Sequence, residues 1–492
     1  MARVMAKASI QTTVSPKREV AEVAASPATH AAFKWLHSHH KEWLKQQIEI
    51  VRIPAAPFHE RTRAEWLRNH LSTLGLQDVR IDAAGNVLGI HAGTDRERQR
   101  VGLVAHLDTV FPPGTVIALR EQDNKIFAPG ISDNGAGLAA LLAIAATLQL
   151  TDCRHRADII FIATVGEEGE GNLRGMRHIF ENQPQDGALP ANAPSDSAGL
   201  RIGHTINVDG SGTHTVVAHA LGSKRFEIGI HGPGGHSWSD FGTPNAIVLL
   251  ARFITAFSDA ASKSTPAPKP GDKKAETSFN FGIIKGGTSV NSIPSYASVS
   301  LDVRSSSRPE IQRLEDLLFQ IIGDAAYGSE RFHGEKSQDG SSQSGRQADA
   351  PKFMIQRSAT AQSAAPPAMS GRSGADRRIK SGRADAIASV THEVQCIGER
   401  PAGEVSPDAR ILQVIRAVDS HLEIKSQMHR ASTDANIPIA LGLEAISIGG
   451  GGQGGGAHTL KEWFDPTGRE LGLKRIWLAA LTLAGPSPAG QA

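Results

Sequence analysis

The chain has 492 residues, of which 40% are hydrophobic and 21% charged, as is typical of a globular protein with two domains and some unstructured chain. Its formal charge of +2, with both signs interspersed, gives no electrostatic reason to expect a nucleic-acid or membrane partner. The two cysteines, Cys153 and Cys396, exclude a disulfide framework and a cysteine zinc site. Any transition metal would therefore be held by His, Asp and Glu.

The N-terminal stretch, residues 1–30, is predicted to be a disordered tail. It has scattered basic residues and no continuous apolar segment, so it is not typical of a secretory signal. No apolar run in the chain approaches the length of a membrane span. We therefore expect a cytoplasmic protein.

Strands and helices alternate over the next part of the chain. Apolar runs of strand length occur at 101–106, 158–165 and 201–209, and an Ala/Leu-rich helix is predicted at 134–150. This alternation predicts an α/β domain with a mostly parallel central sheet.

From about residue 221 the predicted order changes to β-α-β-β-α-β, which is typical of an α+β ferredoxin-like unit. A polar stretch at 331–386 within it is predicted to be a disordered surface insertion, because its composition cannot build a core. After residue 399 the α/β pattern resumes. We therefore expect a catalytic domain in two parts, 31–220 and 400–492, interrupted by a second domain at 221–399.

Side chains of the types that bind metals cluster at the predicted strand ends and in the adjoining loops. In chain order they are His106, Asp108, Asp133, Glu167, Glu168, Asp209 and His458. In an open parallel sheet, sites form at the carboxyl ends of the strands. Four separate strand ends each deliver a carboxylate or an imidazole, and this pattern predicts one shared metal-binding pocket.

Each of these residues also has a structural explanation when it is taken alone. Asp133 is suited to cap the helix that follows it, and His106 could be a buried histidine bonded to the backbone. Glu167 and Glu168 could form a solvated turn, and Asp209 could be a turn residue. Their order and spacing, taken together, favour the shared site.

Six motifs carry a resemblance to a known family: HLDTVFPPGT, APGISDNGAG, GEEGEGNLRG, VDGSG, GPGGHSW and GGGGQGGGAHTLKEW. They resemble the motif series of a large di-zinc hydrolase family that includes carboxypeptidase G, aminoacylase, peptidase T, acetylornithine deacetylase and succinyl-diaminopimelate desuccinylase. The resemblance runs from about residue 41 to the C-terminus, apart from the 331–386 insertion. It implies a zinc-exopeptidase-like catalytic domain and identifies the ferredoxin-like unit as a lid and dimerisation domain.

The resemblance also implies how the metal ligands are divided. Asp133 would bridge two Zn²⁺ ions. His106 and Asp209 would complete the first site, and Glu168 and His458 the second. A cis peptide bond is implied directly after Asp133.

The remaining site residues would not bind metal themselves. The resemblance implies that Asp108 orients His106 and that Glu167 is the general base. His236 would reach the partner subunit's active site and stabilise the developing oxyanion, although a surface-loop histidine is the alternative.

Two further positions, Asn291 and Arg304, resemble lid residues that meet the substrate. Arg304 could equally be a strand-edge arginine paired with a carboxylate.

Donors of these types suit zinc, with cobalt or manganese possible. Two close cations can activate a shared water, and Glu167 can move its proton to the leaving amine. The predicted function is therefore hydrolysis of an amide bond in a small peptide by an exopeptidase that acts as a homodimer. An N-acyl-amino-acid deacylase with the same site is the alternative. An inactive binding protein on this fold is a remote one, since every expected ligand and the base are present.

Overall fold

The computed structural model describes residues 15–151, 153–181, 200–265, 276–327 and 390–486. The predicted insertion at 331–386 and the first 14 residues of the predicted tail lie outside the described residues. The helices are α1 (Pro16–Ala24), α2 (Pro27–Ser38), α3 (His40–Val51), α4 (Arg61–Thr73), α5 (Gly135–Leu150), α6 (Arg174–Phe180), α7 (Ala246–Ser264), α8 (Arg308–Tyr327), α9 (Arg410–His421), α10 (Asn436–Ala440) and α11 (Arg469–Ala484).

The strands follow the same chain order. They are β1 (Gln77–Ile81), β2 (Val87–His91), β3 (Arg100–His106), β4 (Arg120–Gln122), β5 (Lys125–Phe127), β6 (Ile159–Thr164), β7 (Ile202–Val208), β8 (Thr215–Ala220), β9 (Gly222–His231), β10 (Gly235–His236), β11 (Thr277–Gly286), β12 (Ser292–Ile293), β13 (Tyr296–Ser305), β14 (Thr391–Arg400), β15 (Gly403–Glu404), β16 (Gln427–Ala431), β17 (Glu444–Ile448), β18 (Gln453–Gly455) and β19 (Trp463–Asp465).

The larger sheet has nine strands in the order β1-β2-β6-β3-β7-β17-β8-β15, with β16 paired to β8. The four central strands β6, β3, β7 and β17 are parallel to one another. On either side of them, β2 and β8 run antiparallel. The predicted α/β fold with a mostly parallel central sheet is confirmed.

The sheet is covered by helices that match its apolar surface. Strands β3 and β6 are buried along nearly their whole length, as expected for continuous apolar runs in a parallel sheet. Helix α5 is buried at every position from Gly135 to Leu148 and contacts α2, α3, α11 and the central strands. Its many alanines allow this close approach on all sides, because small side chains leave little gap between neighbouring elements.

The smaller antiparallel sheet has the order β11-β13-β9-β14. Helices α7 and α8 pack on it around a separate apolar core that includes Phe253, Phe257 and Leu314. The element order β9-α7-β11-β13-α8-β14 is the β-α-β-β-α-β order expected from the sequence. The chain leaves the large sheet after β8 and returns at β15, and these two strands pair with each other. None of the described helices is both long and apolar enough to span a bilayer.

The predicted disordered tail is wrong for residues 15–30, because α1 and the start of α2 are folded there. Val20 and Val23 are 1% and 3% exposed, and α1 contacts α9 and α11. With Ala24, these residues recur at the i, i+3, i+4 spacing of one helix face. That short apolar stripe lies among charged residues, and the average composition therefore concealed it.

Removal of residues 1–25 should consequently weaken the fold. Loss of α1 exposes the surfaces of α9 and α11 that Val20 and Val23 cover, and we expect the free energy of unfolding to fall by about 3 kcal/mol. Urea denaturation would measure it. Removal of residues 1–14 alone, which leaves α1 intact, is the control. Equal stability of the two truncated proteins would contradict the packing role of α1.

Candidate metal centre

The candidate ligands converge because three parallel strands end at the same edge of the large sheet. His106 is the last residue of β3, Glu168 follows β6, and Asp209 directly follows β7. Asp133 precedes α5, and His458 lies beyond the glycine loop that follows β17. The predicted convergence of these five residues is therefore present in the structure.

Asp133 lies between the two histidines. Its Oδ1 is 3.0 Å from His106 Nε2 and its Oδ2 is 3.2 Å from His458 Nε2. Asp209 Oδ1 lies 3.7 Å from His106 Nε2, and Glu168 Oε1 lies 3.0 Å from His458 Nε2. The five side chains thus form two groups of three that share Asp133, each with its ligand atoms within 4.8 Å of one another.

These spacings and donor types fit two metal ions. Ligands at a Zn–ligand distance of about 2.1 Å lie about 3.4 Å apart around a tetrahedral ion, close to the separations observed. His106 Nδ1 is 3.0 Å from the main-chain oxygen of Asp108, which can only accept, so the Nδ1 proton is committed there. In the neutral ring, His106 Nε2 then faces the carboxylates of Asp133 and Asp209 with its lone pair. A metal ion or a proton between them would balance these groups.

The pKa shifts of these residues also indicate that positive charge is stabilised between the carboxylates. Burial lowers the pKa of His106, but hydrogen bonds to Asp108, Asp133 and Asp209 outweigh it and raise the pKa well above its ordinary value. Hydrogen bonds to Asp133 and Glu168 raise the pKa of His458 to about 10. Burial raises the pKa of Asp133, yet the two histidines bring it below its usual range.

Asp108 organises the loop between β6 and α6. Its carboxylate accepts from the main-chain N–H groups of Glu167 at 3.0 Å and Glu168 at 2.8 Å. The predicted contact with His106 is made chiefly by the main-chain oxygen of Asp108, since the carboxylate Oδ1 is 3.7 Å from Nδ1. Asp108 therefore holds both the histidine and the two glutamates.

Glu167 is buried in an ion pair that the sequence did not reveal. Arg400, the last residue of β14, donates from Nη1 to Glu167 Oε1 at 3.0 Å and from Nη2 to the Glu167 main-chain oxygen. Burial raises the pKa of Glu167 well above its ordinary value despite the nearby Arg400 charge, and the Glu168 charge raises it further. Arg400 was missed because it is distant in sequence and belongs to none of the recognised motifs.

Replacement of Arg400 by Met should destabilise the protein by about 3 kcal/mol, because it leaves the buried Glu167 carboxyl without its cation. The double variant Arg400→Met with Glu167→Gln should lose less than the sum of the single variants, since the unpaired carboxyl is then absent. Urea denaturation of the metal-free proteins measures both effects. Strictly additive losses would mean that the ion pair contributes nothing to stability.

Two more buried carboxylates, neither of them predicted from the sequence, hold the site loops. Glu462 accepts from the N–H groups of Gly130, Ser132 and Asp133 at 2.7–2.8 Å, and burial raises its pKa to about 7. Glu60 accepts from the Gly166 N–H at 3.1 Å and pairs with Arg174. Glu462 does lie within the quoted motif ending in KEW, so that motif was the available signal.

The alternative explanation of Asp133 as a helix cap does not hold. The N-cap of α5 is Asn134, whose Oδ1 accepts from the Gly137 N–H at 3.0 Å. The peptide bond between Asp133 and Asn134 is cis, as the resemblance implied. Because Asn134 is the cap, the Asp133 carboxylate is not used there and contacts the two histidines.

His236 and Asn291 lie close to each other but apart from the five candidate metal ligands. His236, in β10, pairs with β12, and the Ser237 N–H donates to the Asn291 main-chain oxygen at 3.0 Å. Neither residue belongs to the described residues that line the cleft beside the cluster. Arg304 does line that cleft, and it also donates to Asp302 at 2.7 Å, although β13 is an inner strand of its sheet and not the edge strand of the alternative prediction.

Comparison with known proteins gives consistent matches. The sequence profile of peptidase family M20/M25/M40 matches residues 102–480. A probable carboxypeptidase of Aspergillus flavus is 25% identical over 287 residues, which cover 54% of this chain and 64% of that protein. A probable succinyl-diaminopimelate desuccinylase of Staphylococcus epidermidis is 23% identical over 305 residues, 56% of this chain and 70% of that protein. The chain thus spans slightly less than two thirds of the fungal relative.

Solved structures share the fold over most of the chain. Aminopeptidase PepT from Bacillus cereus has a TM-score of 0.59 at 17% identity, covering 90% of this chain and 99% of that one. The dipeptidase Dug1p from Saccharomyces cerevisiae has a TM-score of 0.62 at 12% identity, covering 92% of this chain and 98% of that one. At such identities the likeness concerns the fold alone.

Proposed function

The chain belongs to peptidase family M20/M25/M40, and on this premise we propose that it is a metal-dependent exopeptidase that hydrolyses an amide bond of a small peptide. The observation that carries the proposal is the position of Asp133, with one carboxylate oxygen directed to each of two histidines. Each histidine has a further carboxylate beside it. This is the donor set expected for two ions bridged by one carboxylate.

Two Zn²⁺ ions fit these donors, and Co²⁺ or Mn²⁺ would also suit them. His106, Asp133 and Asp209 would hold one ion, and Asp133, Glu168 and His458 the other. When bound, such ions lower the pKa of a water and polarise a carbonyl group.

Glu167 is proposed as the general base. Its side chain lines the cleft beside the ligands, and its partner is the Arg400 guanidinium, so it can receive a proton from water and return it to the leaving amine. Asp108 keeps the Glu167 backbone in place, and Glu60 and Arg174 support the preceding residue. Preorganisation of this loop keeps the carboxylate aligned while the proton moves.

The smaller sheet with α7 and α8 is proposed as a lid and dimerisation domain. Asn291 and Arg304 would contact the substrate from it, and His236 would act on the partner subunit's site. The exposed apolar side chains on β11 and α7, Ile283, Ile284, Ile247 and Val248, support an interface there. A cytoplasmic location stays a proposal.

The same site could serve an N-acyl-amino-acid deacylase, and one relative is named as a desuccinylase. Both reactions cleave an amide bond and release an amine. The substrate, and not the metal chemistry, would distinguish them.

A hydrolysis screen tests the proposal. The metal-loaded protein would be offered dipeptides, tripeptides and N-acyl amino acids, and release of free amine measured before and after chelation. We expect hydrolysis of at least one class, loss on chelation and recovery on addition of Zn²⁺, Co²⁺ or Mn²⁺. Asp133→Asn should abolish both metal binding and turnover, whereas Asp123→Asn, an exposed hairpin position, should change neither. Turnover that survives in Asp133→Asn would contradict the site.

A further inference from the structure

Two guanidinium groups share one carboxylate on a wall of the cleft. Arg225 in β9 lies opposite Asp302 in β13, and Arg304 lies two residues further along β13, so all three side chains are on one face of the sheet. Arg225 Nε is 3.2 Å from Asp302 Oδ1, and Arg304 Nε is 2.7 Å from Asp302 Oδ2. Both arginines line the cleft of about 410 Å³ that is also lined by four of the five candidate metal ligands, Asp133, Glu168, Asp209 and His458.

This wall carries an uncompensated positive charge. Two guanidinium groups face one carboxylate, and their side chains remain 29% and 41% exposed. The third arginine of the cleft, Arg400, is neutralised by its ion pair with Glu167. Both contacts to Asp302 use Nε, so Asp302 occupies no Nη atom of either arginine, and the Nη ends can turn to bind another carboxylate.

Arg225 also reaches the catalytic loop. Its Nη1 donates to the main-chain oxygen of Gly169, the residue after Glu168, at 3.3 Å. A long contact to an uncharged carbonyl oxygen is readily exchanged for a contact to a carboxylate, in which both partners are charged. A carboxylate on a substrate in the cleft would therefore find Arg225 within a short distance of the reacting bond.

A second cleft, which shares Asp133 and Asp209 with the first, is different in character. It has a volume of about 370 Å³, and the residues that line it include no lysine, arginine or histidine. Glycines and small hydroxyl residues dominate it, among them Gly210, Ser211, Thr433, Ser447 and Gly455. It suits an uncharged group.

The position of Glu167 orients the substrate between the two clefts. Glu167 lines the arginine cleft and is not among the residues of the glycine-lined cleft. A base that returns its proton to the leaving amine must lie beside that amine. The leaving residue therefore occupies the arginine cleft, and the acyl side occupies the neutral one.

We propose that Arg225 selects substrates whose leaving residue carries an acidic side chain, a glutamate or an aspartate. This inference rests on the proposed hydrolase function. Arg304 takes the α-carboxylate and Arg225 takes the side-chain carboxylate, with Asp302 holding both guanidinium groups in position. The substrates are thus small peptides or N-acyl amino acids that end in an acidic residue with a free carboxyl group.

The test compares isosteric substrates, Ala-Glu with Ala-Gln and N-acetyl-Glu with N-acetyl-Gln, on the metal-loaded protein. We expect kcat/KM to favour the glutamate substrates at least about tenfold, mainly through KM, because the glutamine amide leaves the guanidinium unpaired. Arg225→Met should reduce this ratio to near one, and Arg225→Lys should restore part of it. Lys224→Met is the matched control, because the neighbouring Lys224 pairs with Glu315 instead and should leave the ratio unchanged.

Failure of this inference is distinguishable from failure of the proposed function. Hydrolysis at equal rates on glutamate and glutamine substrates would leave the hydrolase intact and overturn the role of Arg225, as would an unchanged ratio in Arg225→Met. If no substrate is cleaved, the proposed function fails, and calorimetric binding of free L-glutamate and L-glutamine to the same proteins still decides the inference. Tighter glutamate binding that is lost in Arg225→Met supports it, and equal affinities overturn it.

Discussion

Replacement of Glu167 by Gln is expected to lower kcat by about 10²–10⁴-fold while both metal ions stay bound, because only proton transfer is removed. The amide keeps the shape of the side chain and can still accept from Arg400. KM should change little, since Glu167 is not expected to hold the substrate in its ground state. Metal content by elemental analysis and steady-state kinetics together measure the result.

The neighbouring variant Glu168→Gln is the matched control for Glu167→Gln. Glu168 Oε1 lies 3.0 Å from His458 Nε2, so its loss should lower metal occupancy as well as turnover. The two variants also test whether Glu167 binds metal. Glu167 and Glu168 form a third group with His106, and the ligand atoms of this group lie within 4.8 Å of one another. Equal loss of metal from both variants would mean that the roles of base and ligand are wrongly assigned.

Replacement of His236 by Ala is expected to lower kcat by about 10²–10³-fold, the effect of losing one oxyanion donor. His236 Nδ1 accepts from the Trp238 N–H at 3.2 Å, which leaves the proton of the neutral ring on Nε2. That ring nitrogen is then a donor, as stabilisation of an oxyanion requires. Its target would be in the partner subunit, since His236 does not line the cleft of its own chain.

The proposed dimer is supported by the edge of the smaller sheet. Strand β11 is an edge strand, and Ile283 and Ile284 on it are 55% and 62% exposed. An exposed apolar edge promotes pairing with another chain, and a twofold dimer covers it on both subunits.

Subunit mixing tests whether His236 acts in trans. His236→Ala and Glu167→Gln proteins, each nearly inactive, are mixed and allowed to exchange subunits. Each mixed dimer would contain one doubly damaged site and one intact site, so activity should rise well above that of either parent. Exchange is verified with differently tagged chains. If mixed dimers form and no activity returns, His236 acts within its own chain or has a structural role.

Much of the fold could be predicted from the sequence because its signals are local. The runs at 101–106 and 158–165 became β3 and β6 almost unchanged, since continuous apolar residues of strand length suit a sheet buried on both faces. The helix predicted at 134–150 begins one residue later, at Gly135. The prediction of a disordered tail at 1–30 was wrong for its folded part because α1 is only nine residues long and buries only Val20, Val23 and Ala24.

The candidate site, too, could be predicted only in part from the sequence. The sequence by itself determined which ligand types occur, their order and their positions at strand ends, because motif and strand register are local properties and parallel strands end at a common edge. Only the tertiary structure decided that Asp133 lies between two histidines, that Arg400 holds Glu167, and that Arg225 and Arg304 share Asp302. Apart from the contact between Arg304 and Asp302, which are two residues apart on β13, these contacts join segments that are far apart in the chain, and no sequence period encodes such a distance. They arise when burial brings charged groups together and each must then find an opposite charge.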